Sequence, residues 1–376
     1  MSEAGAPAGR PGRLGVGVVG TGRVGAVLGS ALRAAGHPVV AVSAVSEASR
    51  ERAASLLPGV PVVDVPEVVR RAELVLLTVP DDALAPLVAG AAELGLWQPG
   101  QILVHTAGRF GVGVLDPARA AGVIPVALHP AMTFTGTSLD LSRLVGCGFA
   151  VTAPAAVLPI GQALVVEVGG EPVVVAEEDR ALYHAALAHG ANHLVVLVAQ
   201  AAEALAAAGV AEPGRVLGPL LGAALDGAVR NELPDRPGHR GPGALAALTG
   251  PVRRGDAGTV AEHVAALSGH AARTGAVDVL AGYRTLARSA TGRALAAGFV
   301  DDAAAQRLLD ALGDAPPGPA ADGTADGAAD GTADGTADGT ADGTADGAAD
   351  GTADGTGRVD DDGGDGPAPD AGGGRA

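Results

Sequence analysis

Gly20-Thr21-Gly22-Arg23-Val24-Gly25 is a complete G-x-G-x-x-G, and it directly follows the apolar run Gly15-Val16-Gly17-Val18-Val19. No other feature constrains the fold as much, because the motif needs a strand before it and a helix after it. Gly20 permits the tight turn, Gly22 lets a pyrophosphate approach the backbone, and Gly25 lets helix and strand pack closely. The first helical turn then offers free N–H groups to phosphate. A ligand-free turn is the alternative in a chain with 59 glycines. It leaves unexplained why strand, loop, helix and second strand follow in order at the spacing of a βαβ unit. The arrangement reads as a Rossmann dinucleotide-binding domain.

The neighbouring sequence extends this reading. Apolar runs at 14–19, 39–42, 60–63, 74–79, 102–105, 124–128 and 148–151 alternate with helix-compatible stretches at 24–35, 66–71 and 83–94. Near-continuous Val, Leu and Ile runs predict strands buried on both faces, as in a doubly wound parallel sheet with helices on each side. From about residue 177 the pattern is helical only, with stretches at 178–209, 215–232, 256–267, 276–289 and 301–312 around a Pro/Gly/Arg-rich interruption at 233–255. Residues 153–176 read as a helix at 155–168 and a short strand at 172–175. The expected domains are an N-terminal segment 1–13, a Rossmann domain 14–152, a helical domain 153–314 and a tail 315–376.

Charge supports the same division. The formal net charge of −17 belongs mostly to the tail, where residues 315–376 hold 14 aspartates and two arginines. Residues 321–356 are nine copies of Ala-Asp-Gly-Thr or Ala-Asp-Gly-Ala. That unit has nothing apolar to bury, so the tail reads as disordered. It lacks the ligand pattern of a calcium loop. The body before it carries 28 acids against 23 bases, which argues against a nucleic-acid partner. All 25 bases are arginine, so every mechanism that needs a lysine is excluded. The single cysteine, Cys147, fits a reducing cytoplasm. Residues 1–13 show no signal-peptide core, and apolar stretches such as 194–198 fall short of the roughly 18 residues of a membrane span.

Candidate site residues follow from position. The second strand ends at Ser43, where an NAD site usually places an acid for the ribose hydroxyls. Ser43, Ser46, Arg50 and Arg52 instead favour the 2′-phosphate of NADP, although Glu47 is close and NAD stays possible. Val79 and Pro80 follow a strand whose carboxyl end should meet the cofactor; the alternative is an ordinary turn with Asp81 or Asp82 capping the next helix. Thr106 follows another such strand, behind a His105 that reads as buried and structural. His129 also ends a strand, and its titration near neutral pH suits proton transfer. A loop histidine fixing its neighbour's backbone is the alternative. On the long helix, His184 and Asn192 are eight residues apart and share a face. His189 and His193 are four apart, but no third ligand is evident, and no metal is expected. Thr249 and Arg254 lie in the interruption; Arg254 suits a carboxylate or phosphate, and Asp256 suits a helix cap.

These motifs together resemble one family. Gly20–Gly25, Thr78-Val79-Pro80-Asp81-Asp82, His105-Thr106-Ala107-Gly108, His129-Pro130-Ala131-Met132-Thr133-Phe134, Tyr183-His184 with Asn192, and 249–256 are similar to those of Rossmann-like proteins carrying domain of unknown function 2520. The resemblance implies a Rossmann domain followed by an all-helical domain like that of 6-phosphogluconate dehydrogenase. It implies an oxidoreductase but supplies no settled substrate; with the positions above, the first reading is an NADP(H)-dependent oxidoreductase acting on a small carboxylate-bearing metabolite, with His129 and Asn192 catalytic and Arg254, His184 and Thr249 binding substrate. The helical domain often dimerises in related folds, so a homodimer is expected, in the cytoplasm that Cys147 fits and without membrane attachment. A dinucleotide- or metabolite-sensing protein is the second reading, and a reductase related to pantothenate synthesis the third. Ketopantoate reductases and β-hydroxyacid dehydrogenases use a lysine on the long helix that this chain lacks. Prephenate dehydrogenases carry a His-Pro-Met-x-Gly motif to which His129-Pro130-Ala131-Met132 is similar.

Overall fold

The computed structural model describes residues 13–232 and 242–313. The expectations for the N-terminal segment before residue 13, for 233–241 and for the repeat tail lie outside the described residues.

Seven strands form one sheet: β1 (Val16–Val19), β2 (Val39–Ser43), β3 (Leu74–Leu77), β4 (Ile102–His105), β5 (Ile124–Pro130), β6 (Gly148–Thr152) and β7 (Glu171–Val174), in the order β2-β1-β3-β4-β5-β6-β7. The first five are parallel, as the doubly wound reading expects. The sheet as a whole is mixed, because β6 runs antiparallel to β5. The connection between β5 and β6 holds one five-residue helix, α6 (Leu139–Arg143).

Helices α1 (Arg23–Ala34), α2 (Glu47–Leu56), α3 (Val65–Arg71), α4 (Asp81–Glu93) and α5 (Asp116–Arg119) join the parallel strands. The expected strand at 60–63 is absent apart from one bridge, Val42 to Val62. Pro58 and Pro61 remove ladder donors there. α2 occupies the preceding stretch without an amphipathic pattern, since it buries only Ser49 and Ala53. Its start is fixed instead by Ser46, whose hydroxyl accepts the Ser49 N–H.

Residues 153–176 do not open the helical domain; they complete the sheet. α7 (Leu158–Glu167) lies on it, with Leu164 and Val165 in the same buried cluster as Val126, Leu128 and Val151, and β7 pairs with β6 in parallel. Helical structure alone begins at α8 (Arg180–Ala207). It continues through α9 (Pro213–Glu232), α10 (Gly250–Arg254), α11 (Ala257–Thr274), α12 (Val277–Ala296) and α13 (Asp302–Ala311). Asp256 caps α11 by accepting the Thr259 N–H. α8 corrects the membrane expectation on one point. By length and composition it could cross a membrane, because its polar residues interrupt every apolar run without lowering the average enough.

The two parts are buried very differently. Two large clusters fill both faces of the sheet. The helical part buries only small groups, around Val260, Leu308 and Leu312 and around Ala294, Val300 and Ala305. Arg180 is the one buried residue of α8.

Candidate functional site

The strand order reverses at β1, whose neighbours are β2 and β3. Ligands of open α/β sheets bind beyond the strand carboxyl ends at such a point. The glycine loop stands there, and each glycine has its own geometric reason. Gly20 has a φ of +92°, the left-handed region that disfavours side chains. A Cβ on Gly25 would overlap the Gly20 carbonyl oxygen and the Thr78 hydroxyl. A Cβ on Gly22 would meet nothing within 4 Å. Gly22 therefore faces open space at the N-terminus of α1, where no side chain caps the helix. That cradle fits the pyrophosphate of a dinucleotide.

Some expected cofactor residues hold the loop rather than line it. Thr21 is buried, with its hydroxyl 3.2 Å from the Ser43 carbonyl and 3.1 Å from that of Ser49. Ser43 is also buried, and its hydroxyl accepts the Gly20 N–H at 3.1 Å. The side chains of Thr21 and Ser43 are thus engaged within the protein, so any cofactor contact of theirs falls to the backbone. Val79 packs against Gly20 from the β3 side, beside Thr78, which donates to the Gly20 carbonyl. Val24 is half-buried, Ser46 and Pro80 are exposed, and the Thr106 N–H donates to Leu77 at the end of β3. Arg23 and Arg52 converge on Gly136, which has a φ of +81°. The buried Asp140 carboxylate holds that glycine by accepting the N–H groups of Thr135 and Gly136.

The second part of the site lies where β5 meets α8. His129, His184 and Asn192 line one cavity of about 420 Å³ together with Ala131, Met132 and Thr133. The eight-residue spacing of His184 and Asn192 puts both on the same wall. His129 Nδ1 is 3.0 Å from the Tyr183 hydroxyl, and its ring stands edge-on to those of Tyr183 and His184. Gly108 allows this packing, since a Cβ there would press on both imidazoles. Burial, then the nearby Arg180 charge, then His184 lower the His129 pKa to about 4. His129 is therefore a neutral imidazole at pH 7, not the near-neutral titrant the sequence suggests.

His105 is fully buried; Nε2 faces the Gly111 carbonyl at 2.8 Å and Nδ1 accepts the Ala107 N–H at 3.2 Å. It has a structural place, as expected. His189 and His193 meet edge-on on the exposed side of α8. Among the described residues no three His, Cys, Asp or Glu form a metal-binding group.

Thr249 and Arg254 do not join this cavity. Thr249 borders a separate one of about 410 Å³ with His263 and Tyr283, and Arg254 is exposed at the end of α10. α10 packs on α11 and α12 rather than on the end of α8 that carries His184 and Asn192. Arg180 escaped the sequence reading, which quoted Tyr183 without giving it a role. Tyr183 stands behind His129, and Arg180 is buried at the seam of β5 and β6. The one signal for Arg180 is an arginine opening an apolar helix, at the end where a cation is unfavourable.

Comparison with known proteins agrees with this architecture. The model of the Rossmann-like domain matches residues 2–130, and that of the domain of unknown function DUF2520 matches residues 147–290. No curated protein matches the chain. A Bacteroides fragilis protein provisionally named an NADP oxidoreductase is similar in structure, with a TM-score of 0.57 at 23% identity over 74% of this chain and 98% of its own. A Thermotoga maritima protein gives 0.54 at 20% identity over 75% and 98%. The imine reductase of Myxococcus stipitatus, solved with NADP+, gives 0.54 at 18% identity over 78% and 99%. At these identities the likeness is one of fold. With both domain models matched in order, the chain belongs to the proteins that join a Rossmann-like domain to the domain of unknown function DUF2520.

Proposed function

We propose that the chain is an NADP(H)-dependent oxidoreductase that acts on a small carboxylate-bearing metabolite in the His129–Asn192 cavity. The observation that carries this reading is the glycine loop: Gly25 closed against Thr78 and Gly22 open at an uncapped helix end. NADP(H) is favoured because β2 ends at Ser43, where an NAD site would need a carboxylate, and Arg50 and Arg52 follow in α2. A bound nicotinamide supplies hydride to the substrate carbon. Neutral His129 supplies the proton: Nε2–H donates to the substrate heteroatom while Nδ1 takes the Tyr183 proton. The resulting phenolate is offset by Arg180 and regains its proton from water. Asn192, exposed on the cavity wall, orients the substrate.

The test is to titrate the full-length chain with NADPH and NADH, then to follow nicotinamide oxidation with 2-oxo acids, 3-oxo acids and imines. NADPH is expected to bind at least tenfold more tightly than NADH, and one substrate class to turn over. Binding without turnover would favour the sensing protein, a reading kept in view by the absence of lysine. Failure to bind either nucleotide would remove both.

The same reading includes a cytoplasmic homodimer. Leu182, Val195 and Val196 of α8 and Leu220, Leu225 and Val229 of α9 are exposed, while the helical part buries little of its own. A half-core of this kind is characteristic of obligate interfaces. A membrane suits the face less well, because Arg180, His184, Asn192 and Gln200 are spread along α8. Light scattering should give twice the chain mass, and Val196→Glu should lower it; a wild-type monomer at micromolar concentration would exclude the dimer.

A further inference from the structure

Glu177 stands in the link between β7 and α8, three residues before the helix begins. Its Oε2 accepts the Val112 N–H at 2.7 Å, and its Oε1 accepts the Gly113 N–H at 2.9 Å. Those donors open the short 3-10 turn Val112–Leu115, which lies 64 and 65 residues away along the chain. Each N–H takes its own oxygen. A carboxylate meets that demand and an amide does not, because one end of an amide is a donor. Gly111 is fitted to the same group. Its φ of −92° suits any residue, yet a Cβ there would overlap both oxygens of the Glu177 carboxylate. The missing side chain at 111 is a demand of Glu177, not of the backbone.

Glu177 is exposed, so water could satisfy the two N–H groups equally well. What the carboxylate adds is a tether. α8 buries only Arg180, so few contacts fix how the helix start sits on the sheet. The tethered loop also reaches the cavity directly. His105 pins its base, accepting the Ala107 N–H and facing the Gly111 carbonyl, and Gly108 lies between those two points. A Cβ on Gly108 would stand 2.5 Å from His184 Cδ2 and 2.9 Å from His129 Nε2. Loop 107–113 therefore packs on both imidazoles, one carried by β5 and the other by the second turn of α8.

We propose that Glu177 is a positioning residue of this cavity: its carboxylate clasps loop 107–113 to the start of α8 and so holds Gly108, His129 and His184 in the packing that proton transfer uses. Glu177 touches neither substrate nor reacting atoms; it acts through the loop. The inference rests on the cavity being the substrate site of the oxidoreductase proposed above.

The experiment uses the full-length protein and its variants Glu177→Gln, Glu177→Ala, Gly111→Ala and the double variant of the two alanine changes. NADPH affinity is measured by calorimetry, the imidazole signals of His129 and His184 by NMR, and turnover with the oxo acid or imine that the wild type reduces. Glu177→Gln is expected to keep NADPH affinity and KM near wild type and to lower kcat about tenfold, as a small misplacement of a reacting group does. The His129 midpoint should rise above its wild-type value of about 4, because the loop that buries the ring is loosened. The groups facing that ring, His105 from β4 and Arg180, Tyr183 and His184 from α8, are the same in every variant, so the shift reports the loop. Gly111→Ala should reproduce these losses while Glu177 is present and add nothing in the Glu177→Ala background, the coupling expected of one shared contact. Should Glu177→Gln fail to fold, Gly111→Ala tests the same clasp from its other side. Wild-type kcat and imidazole signals in a folded Glu177→Gln protein overturn the inference, and so does a Gly111→Ala effect that is as large in the Glu177→Ala background as in wild type. Absence of turnover in the wild type would instead remove the oxidoreductase reading, and the imidazole signals would still decide whether the clasp sets the packing.

Discussion

Gly25→Ala is expected to destabilise the nucleotide loop by about 3 kcal/mol and to abolish NADPH binding. The new Cβ would overlap the Gly20 carbonyl oxygen and the Thr78 hydroxyl. Neither can retreat cheaply, because Gly20 is backbone in a left-handed turn and Thr78 is held by donation to that carbonyl. Overpacking of this kind costs about 1–3 kcal/mol, and a backbone obstacle places it at the upper end. Gly22→Ala isolates the functional part of the loop. Nothing lies within 4 Å of its Cβ, and its φ of −68° suits alanine. It should melt within about a degree of wild type yet lose NADPH affinity at least a hundredfold, since the methyl would fill the phosphate cradle. Thermal melts and nucleotide titrations of both variants check this. A Gly25→Ala protein with wild-type stability would remove the packing argument, and a Gly22→Ala protein with wild-type affinity would remove the cradle.

Much of the fold was legible because apolar runs mark buried strands whatever their direction. Direction is what they do not carry. β6 reads like the strands before it, yet it pairs antiparallel to β5. The helix and strand of 153–176 were legible as α7 and β7, but nothing local says that β7 continues the sheet. α2 was invisible for another reason. A surface helix that buries Ser49 and Ala53 has no apolar stripe to read. The Val-rich stretch at 60–63 imitated a strand, while Pro58 before it and Pro61 within it told against one.

Within the site, legibility followed locality. The loop glycines could be read because each answers a demand set by its immediate neighbours. His184 and Asn192 could be paired because one helix fixes their spacing, and β5 ends where His129 meets them. Thr249 and Arg254 depend on how α10 packs, which no local pattern encodes. The zero beside lysine proved informative in a different way. It directed attention to histidine, and the structure then supplied the tyrosine behind it and the arginine beneath.

His129→Ala should lower kcat by about 10²–10⁴ while leaving NADPH affinity within twofold, the range expected for loss of a general acid. Its neighbour sharpens the test. Tyr183→Phe keeps the ring beside His129 but removes the hydroxyl 3.0 Å from Nδ1. It should cost kcat about ten- to a hundredfold with little change in KM, because the proton reservoir is lost while the cavity wall stays. The pH profile follows from the burial of both groups. Burial holds the His129 pKa at about 4, and burial raises that of Tyr183 above its ordinary 10. Between pH 5 and 8 neither group changes charge, so kcat should be flat across that interval. A donor working as imidazolium would instead give a rate falling above pH 6.5. A falling limb there would show that His129 is charged when it acts, and the relay through Tyr183 would have to be abandoned. A Tyr183→Phe enzyme with full kcat would have the same consequence, because a neutral imidazole cannot give up its Nε2 proton unless Nδ1 gains one.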